Sequence, residues 1–258
     1  MKRTSWKLGR FAGIDVFLHP TFFLILLLPG AIEHLPLVLS LFGCVLLHEY
    51  GHALTARKFG IGTVDITLYP IGGVARLARM PRAPGVELLI ALAGPAVNFA
   101  IAGWVFALLA LGAGFGLSEY LLELAELNLI LGCFNLIPAF PMDGGRGLRA
   151  LISGWTGRAK ATSFAAGVGR TLAAGFGIYS LLSFNLIHAA LAAFIYFAAG
   201  AEEAGVLADE RRRAFPNSGD GGVWTAPPGY RWVESSRGVW QLAPKRASAA
   251  ANSARSWS

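Results

Sequence analysis

The chain is short of charge. Asp, Glu, Lys and Arg make up 14% of its 258 residues while 55% are hydrophobic; ordinary soluble proteins carry roughly 25% charged residues. A soluble core of this size does not need so much apolar sequence, and several runs approach the length that crosses a bilayer. Cysteine is scarce too. Cys44 and Cys133 both fall in apolar segments, so no disulfide framework is implied. The stretches 29–36, 112–118 and 183–187 hold no Lys or Arg at all. The net charge of +7 therefore follows a membrane topology, and nucleic acid is not expected as a partner.

Six apolar stretches are expected to cross the membrane. They are 11–28, 35–59, 87–111, 119–138, and two short spans within 159–200 that meet near Ser183-Phe184-Asn185. The first is read as a retained anchor rather than a cleaved leader. It carries Asp15 and His19, four residues apart and expected to hydrogen-bond each other as on a helix. Arg170, inside the fifth span, is read as snorkelling to the near interface, with pairing to a polar group of the bundle as the rarer alternative. Between the second and third spans, Val64–Tyr69 and Val74–Leu77 flank Pro70-Ile71-Gly72-Gly73 and fit a short hairpin, with an irregular loop as the alternative.

The expected fold class is an all-α polytopic membrane protein: six transmembrane helices with one short membrane-associated β-hairpin between the second and third. Residues 1–204 form the membrane domain. Residues 205–258 form a cytoplasmic tail in which Tyr230–Val233 and Gly238–Leu242 pair and Ala247–Ser258 is disordered. Six spans place 21 of the 22 Lys and Arg on one side, Arg170 excepted. That side is the cytoplasmic one, so the chain is expected in the cell membrane, multi-pass, with both termini cytoplasmic.

Within the second span stands His48-Glu49-Tyr50-Gly51-His52. Residues four apart on a helix share a face, so His48 and His52 can present two imidazole nitrogens to one metal ion with Glu49 beside them. Two neutral ligands, an open position for water and a carboxylate to take the water's proton are the pattern of a zinc hydrolase. The bland alternative is a pair of helix histidines bonded to backbone. No charged residue lies between Leu35 and Leu47, which sets any metal inside a membrane helix. Cys44, one turn earlier, is read as a small buried residue.

A third ligand is expected where the fourth span breaks, at Asn135-Leu136-Ile137-Pro138-Ala139-Phe140-Pro141-Met142-Asp143-Gly144-Gly145-Arg146. Broken backbone at membrane depth is tolerated only where protein or a watery cavity satisfies it, and Asp143 is the one acid beside this break. In the third span Gly94-Pro95 should kink the helix, and Asn98 needs a polar partner, either a neighbouring helix or the site. Asn128 and Asn135 share a face of the fourth span, opposite Glu119, Glu123 and Glu126.

These motifs together resemble the site-2 protease family of intramembrane zinc metalloproteases. The matching residues are His48-Glu49-Tyr50-Gly51-His52, Gly94-Pro95-Ala96-Val97-Asn98, and Asn135 through Pro138 and Pro141 to Asp143-Gly144-Gly145-Arg146. The resemblance covers about residues 8–204. It implies one zinc per chain on His48, His52 and Asp143, Glu49 as catalytic acid and base, and Asn98 and Asn135 as catalytic-site polar residues. It further implies a membrane-protein substrate helix that unwinds and adds as a strand to the hairpin, with the lipid bilayer as the medium and homo-oligomer formation left open. There is no room for the PDZ domain some members insert between the second and third spans. A zinc transporter and a non-catalytic scaffold are the rival readings. The other histidines (His19, His34, His188) form no second cluster with acids, and a scaffold would be expected to have lost a ligand or Glu49.

Overall fold

The computed structural model describes residues 5–27, 29–70, 72–79, 81–114, 116–214, 230–235 and 239–244. Two compact units emerge, Met1–Val206 and Leu207–Ser258. Among the described residues the chain is mostly helical, with one four-stranded and one two-stranded sheet.

Where a first membrane helix was expected, the chain makes strands. β1 (Trp6–Phe11) pairs antiparallel with β2 (Ile14–Leu18), and a 3-10 helix follows over Pro20–Leu27. The physical reason lies in the turn. Ala12 and Gly13 both take positive φ, 50° and 84°, the geometry of the tight turns whose twist matches antiparallel strands. Beyond it, Ile14 and Val16 are buried while Asp15 and Phe17 are not, the period of two that a strand imposes. Strand geometry also parts Asp15 from His19: Asp15 pairs with Lys7 at 2.8 Å, and His19 Nδ1 meets Thr21 Oγ1 at 2.7 Å.

The hairpin expected between the second and third spans is present. β3 (Thr63–Tyr69) pairs antiparallel with β4 (Gly72–Leu77), and β2 lies parallel to β3, giving the order β1-β2-β3-β4. A parallel pair needs a long crossover, which here carries the 3-10 helix and α1 (Leu35–Lys58). Ile14, Ala53 and Ile66 form a buried cluster that binds the sheet to α1, extended by Phe22, Phe42 and Leu68. Asp65 is buried in β3 and pairs with Arg76 of β4; that hydrogen bond and charge hold the guanidinium above its ordinary pKa. β4 is an edge strand.

α2 (Pro84–Ala110), α3 (Ser118–Asn135), α4 (Asp143–Thr156), α5 (Arg158–Leu182) and α6 (Leu186–Ala214) complete the helices. Three are long and apolar enough to cross a membrane: α1, α2, and Leu186–Arg212 within α6. At 1.5 Å per residue, 24 residues of α1 reach about 36 Å, beyond the roughly 30 Å of hydrocarbon. α3 carries exposed Glu119, Glu123 and Glu126, and α5 carries Arg158, Lys160 and Arg170. α4 occupies a stretch expected to be loop; it is amphipathic, burying Asp143, Gly145, Gly147, Arg149 and Ala150 along one side. In the second unit, β5 (Tyr230–Ser235) pairs antiparallel with β6 (Val239–Pro244), as the sequence suggested. The expected disorder of 247–258 falls outside the described residues.

Several charges among the helices are paired. Arg149, fully buried, donates through Nε and Nη2 to Glu87 at 2.8 and 2.5 Å and through Nη1 to Glu202 at 3.0 Å. Arg158 donates to the other Glu87 oxygen at 2.9 Å. Arg170 does not snorkel. It pairs with Glu203 at 2.6 Å, because α6 brings an acid alongside α5.

Candidate metal centre

α1 turns His48, His52 and Glu49 toward α2, α4 and β4. His48 Nε2 and His52 Nε2 lie 3.1 Å apart, and Asp143 Oδ2 lies 3.1 and 3.0 Å from them. All three residues are buried, and they form a group that can hold a metal ion.

The opposite ring nitrogens say which atoms carry protons. His52 Nδ1 donates to the Ile90 carbonyl at 2.6 Å; a carbonyl only accepts, so in the neutral imidazole Nε2 keeps its lone pair. His48 Nδ1 donates to Asn98 Oδ1 at 2.6 Å, and Asn98 Nδ2 donates to Asn128 Oδ1 at 3.2 Å, whose own Nδ2 is held by the Leu124 carbonyl at 2.9 Å. With both imidazoles neutral, the form in which histidine binds a metal, two lone pairs and a carboxylate oxygen converge on one point. Electron pairs repel in that arrangement, and a cation among them removes the repulsion. The spacing approaches the roughly 3.3 Å edge of a tetrahedral site with zinc bonds of about 2.0–2.1 Å. The residues fit zinc.

Local sequence explains the approach of the helices. A Cβ on Gly94 would stand 2.3 Å from His52 Nε2 and 2.5 Å from His48 Nε2, so only glycine lets α2 pass this close. Pro95 removes one helical N–H in the same turn as the Ile90 carbonyl that holds His52. α4 begins at Asp143, and Gly144 and Gly145 bring its first turn against the backbone of Leu136, Ile137 and Ala139. The expected break after α3 thus delivers Asp143 to the two histidines.

Glu49 lies one residue off the ligand face, as its spacing requires. Its Oε2 accepts from the Ala75 N–H of β4 at 3.0 Å, and its stem packs over Gly73, where a Cβ would come within 2.6 Å. Asn135 donates to its own helix at the Leu131 carbonyl, 3.0 Å away, and lines the cavity without touching the three donors. That cavity, about 490 Å³, is walled by His48, Glu49, His52, Asn135, Asp143 and Arg146. An apolar cavity of about 420 Å³ adjoins it and shares His48, Glu49, Gly73 and Asn135. Cys44 is buried and outside the donor group.

Two features escaped the sequence. Asn128 was placed on a polar face but not in a chain of hydrogen bonds to His48, since no rule of spacing sets the register between α2 and α3. Gly94 was read for its proline neighbour and not for the contact its missing side chain permits.

The matching family model is that of peptidase family M50, over residues 36–123 and 110–176, and the chain belongs to that family. Among its relatives, Zinc metalloprotease MJ0392 of Methanocaldococcus jannaschii is 42% identical over 208 residues, which are 77% of this chain and 60% of that protein. Stage IV sporulation protein FB of Bacillus subtilis is 29% identical over 144 residues, 54% of this chain and 48% of its own length. The solved structure of a Site-2 Protease from Methanocaldococcus jannaschii matches with a TM-score of 0.59 at 38% identity, over 77% of this chain and 95% of that one. The chain thus spans about half to 60% of the length of the two relatives named first.

Proposed function

We propose that the chain is an intramembrane zinc endopeptidase, binding one zinc through His48, His52 and Asp143 and hydrolysing a peptide bond in a membrane-protein substrate. The convergence of the three lone-pair donors with Glu49, two of those donors and Glu49 on a helix apolar enough to cross a bilayer, carries this reading. Zinc held by these residues would supply a Lewis acid that brings a water's pKa to about 7. Glu49 takes the proton of that water and returns it to the leaving amine; its Oε2 is anchored on Ala75, which leaves Oε1 for the proton. Asn98 keeps the His48 lone pair aimed at the site and acts on the substrate only through His48. Asn135 faces the substrate in the cavity.

A helical substrate hides its carbonyls in hydrogen bonds and must unwind. The outer edge of β4 supports an extended segment by main-chain pairing, and Gly72, Gly73, Val74 and Ala75 of that edge line the cavity. The adjoining apolar cavity receives the neighbouring side chains. The orientation is the one the basic residues favour, in the cell membrane with both termini cytoplasmic. In place of the first helix, the 3-10 segment leads from the sheet to the start of α1.

The test is cleavage of a transmembrane-helix substrate by protein purified in detergent, with zinc measured alongside. Glu49→Gln is expected to keep wild-type zinc and lose on the order of 10²–10⁴ in rate. Near-normal proteolysis by that variant rejects Glu49's role. A wild type that moves zinc across vesicles and cleaves nothing makes the chain a transporter.

A further inference from the structure

Arg146 is a charge in this cavity that no hydrogen bond or ion pair among the described residues engages. It lies one turn into α4 from Asp143 and lines the cavity that holds the three donors and Glu49. Its Nε is buried without a hydrogen-bond partner, and among the described residues no hydrogen bond or ion pair engages its guanidinium.

The acids whose charge reaches it are Asp143, Glu202, Glu49 and Glu87. Each is already occupied. Asp143 faces His48 and His52; Glu49 accepts from Ala75; Glu87 and Glu202 are held by Arg149, and Glu87 by Arg158 as well. Arg149, three residues further along the same helix, makes the contrast: it spends its donors on two carboxylates and is closed off from any ligand. An arginine stays protonated in proteins and cannot escape its charge by losing a proton. A half-buried guanidinium with donors to spare, opening on a reaction cavity, is built to receive a negative oxygen.

We infer that Arg146 is a further catalytic residue that donates to the carbonyl oxygen of the scissile peptide bond as that oxygen becomes an anion. The inference rests on the peptidase reading above. In that reaction the water oxygen bonds to the carbonyl carbon and the carbonyl π pair moves onto oxygen. When the adduct collapses, that pair re-forms the C=O bond, the C–N bond breaks, and its electrons leave on nitrogen, which takes the proton from Glu49. The full negative charge exists only between those two events. A fixed cation facing it stabilises the transition state more than the neutral amide, which raises kcat rather than lowering KM.

The experiment compares wild type, Arg146→Met and Arg146→Lys for zinc content, kcat and KM on one transmembrane-helix substrate, and for inhibition by a phosphinic peptide, whose tetrahedral anionic centre mimics the adduct. Arg146→Met should retain zinc, lose on the order of 10²–10³ in kcat with KM little changed, and weaken the phosphinate by a matching factor. Arg146→Lys keeps the charge without the fork and should lose less; it also serves where the methionine variant does not fold. Zinc lost in step with activity would make Arg146 a buttress of Asp143 and overturn the inference. So would a raised KM at constant kcat, or a phosphinate affinity that does not move. If wild type cleaves and Arg146→Met cleaves equally well, this inference falls and the peptidase reading stands. If wild type holds zinc and cleaves nothing, the peptidase reading falls and takes the inference with it.

Discussion

Two polar clusters lie buried among these apolar helices, and they are opposites. Around Arg149 every charge meets its complement: Glu87 and Glu202 surround it, and Arg158 completes the set. Around His48 the electron pairs face one another. Three electron-pair donors point at one spot, and the far sides of the two histidines are tied to Asn98 and the Ile90 carbonyl so that the rings cannot turn away. The first cluster is finished when the chain is folded. The second is finished only by a cation. A buried polar group thus reports function when its partners leave its valence open, and reports architecture when they close it.

The comparison is broken most severely at Gly94. Gly94→Ala sets a carbon among the histidine nitrogens, so bound zinc and proteolysis should both fall to background while the charged cluster keeps the helices assembled. Elemental analysis beside thermal unfolding checks this; full zinc in a folded Gly94→Ala would show that the donors separate further than described here. Arg149→Met is the converse. It strands Glu87 and Glu202 with one cation fewer, and removing one partner of a buried pair costs about 3–5 kcal/mol. Stability in detergent should drop by that order while zinc per folded molecule holds. Loss of zinc at unchanged stability would mean that the two clusters are one.

The smallest change sharpens the contrast instead. Asn98→Ala frees His48 Nδ1 and should weaken zinc binding by roughly 10–100-fold, the usual effect of removing a ligand's outer partner. Asn128→Ala, one hydrogen bond further out, should do the same to a lesser degree. Competition with a chelator of known affinity orders the two variants. Equal effects would show that the relay acts as a single piece.

How much of this was legible beforehand follows the range of the interactions. His48, Glu49 and His52 are local, fixed by helical periodicity, and the proline and glycine break pointed to Asp143 because irregular backbone in a membrane is rare enough to mean something. The β3–β4 hairpin was legible for the same reason. Residues 11–28 misled because a short apolar run fits a strand or a helix equally well; the alternation of Ile14, Val16 and Leu18 after Ala12-Gly13 was the signal to weigh. α4 hid behind the glycines that start it. The Arg149 cluster joins residues 62 and 53 positions apart, and the pairing of Arg170 with Glu203 likewise depends on how α5 and α6 pack, which no local rule predicts.

The bond from Ala75 to Glu49 has a consequence for what the protein selects. The reactive carboxylate hangs from the strand edge on which, in the proposed reaction, a substrate aligns. That edge is Gly72-Gly73-Val74-Ala75, with almost no side chain to interrogate a sequence. Beyond what the adjoining apolar cavity accepts, discrimination then falls on the mechanical weakness of the incoming helix: segments that melt easily align and are cut, and well-knit ones pass by. Such a protein would read the local stability of its clients before their spelling, and a glycine or proline placed near the cut site of a resistant helix should be enough to turn it into a substrate.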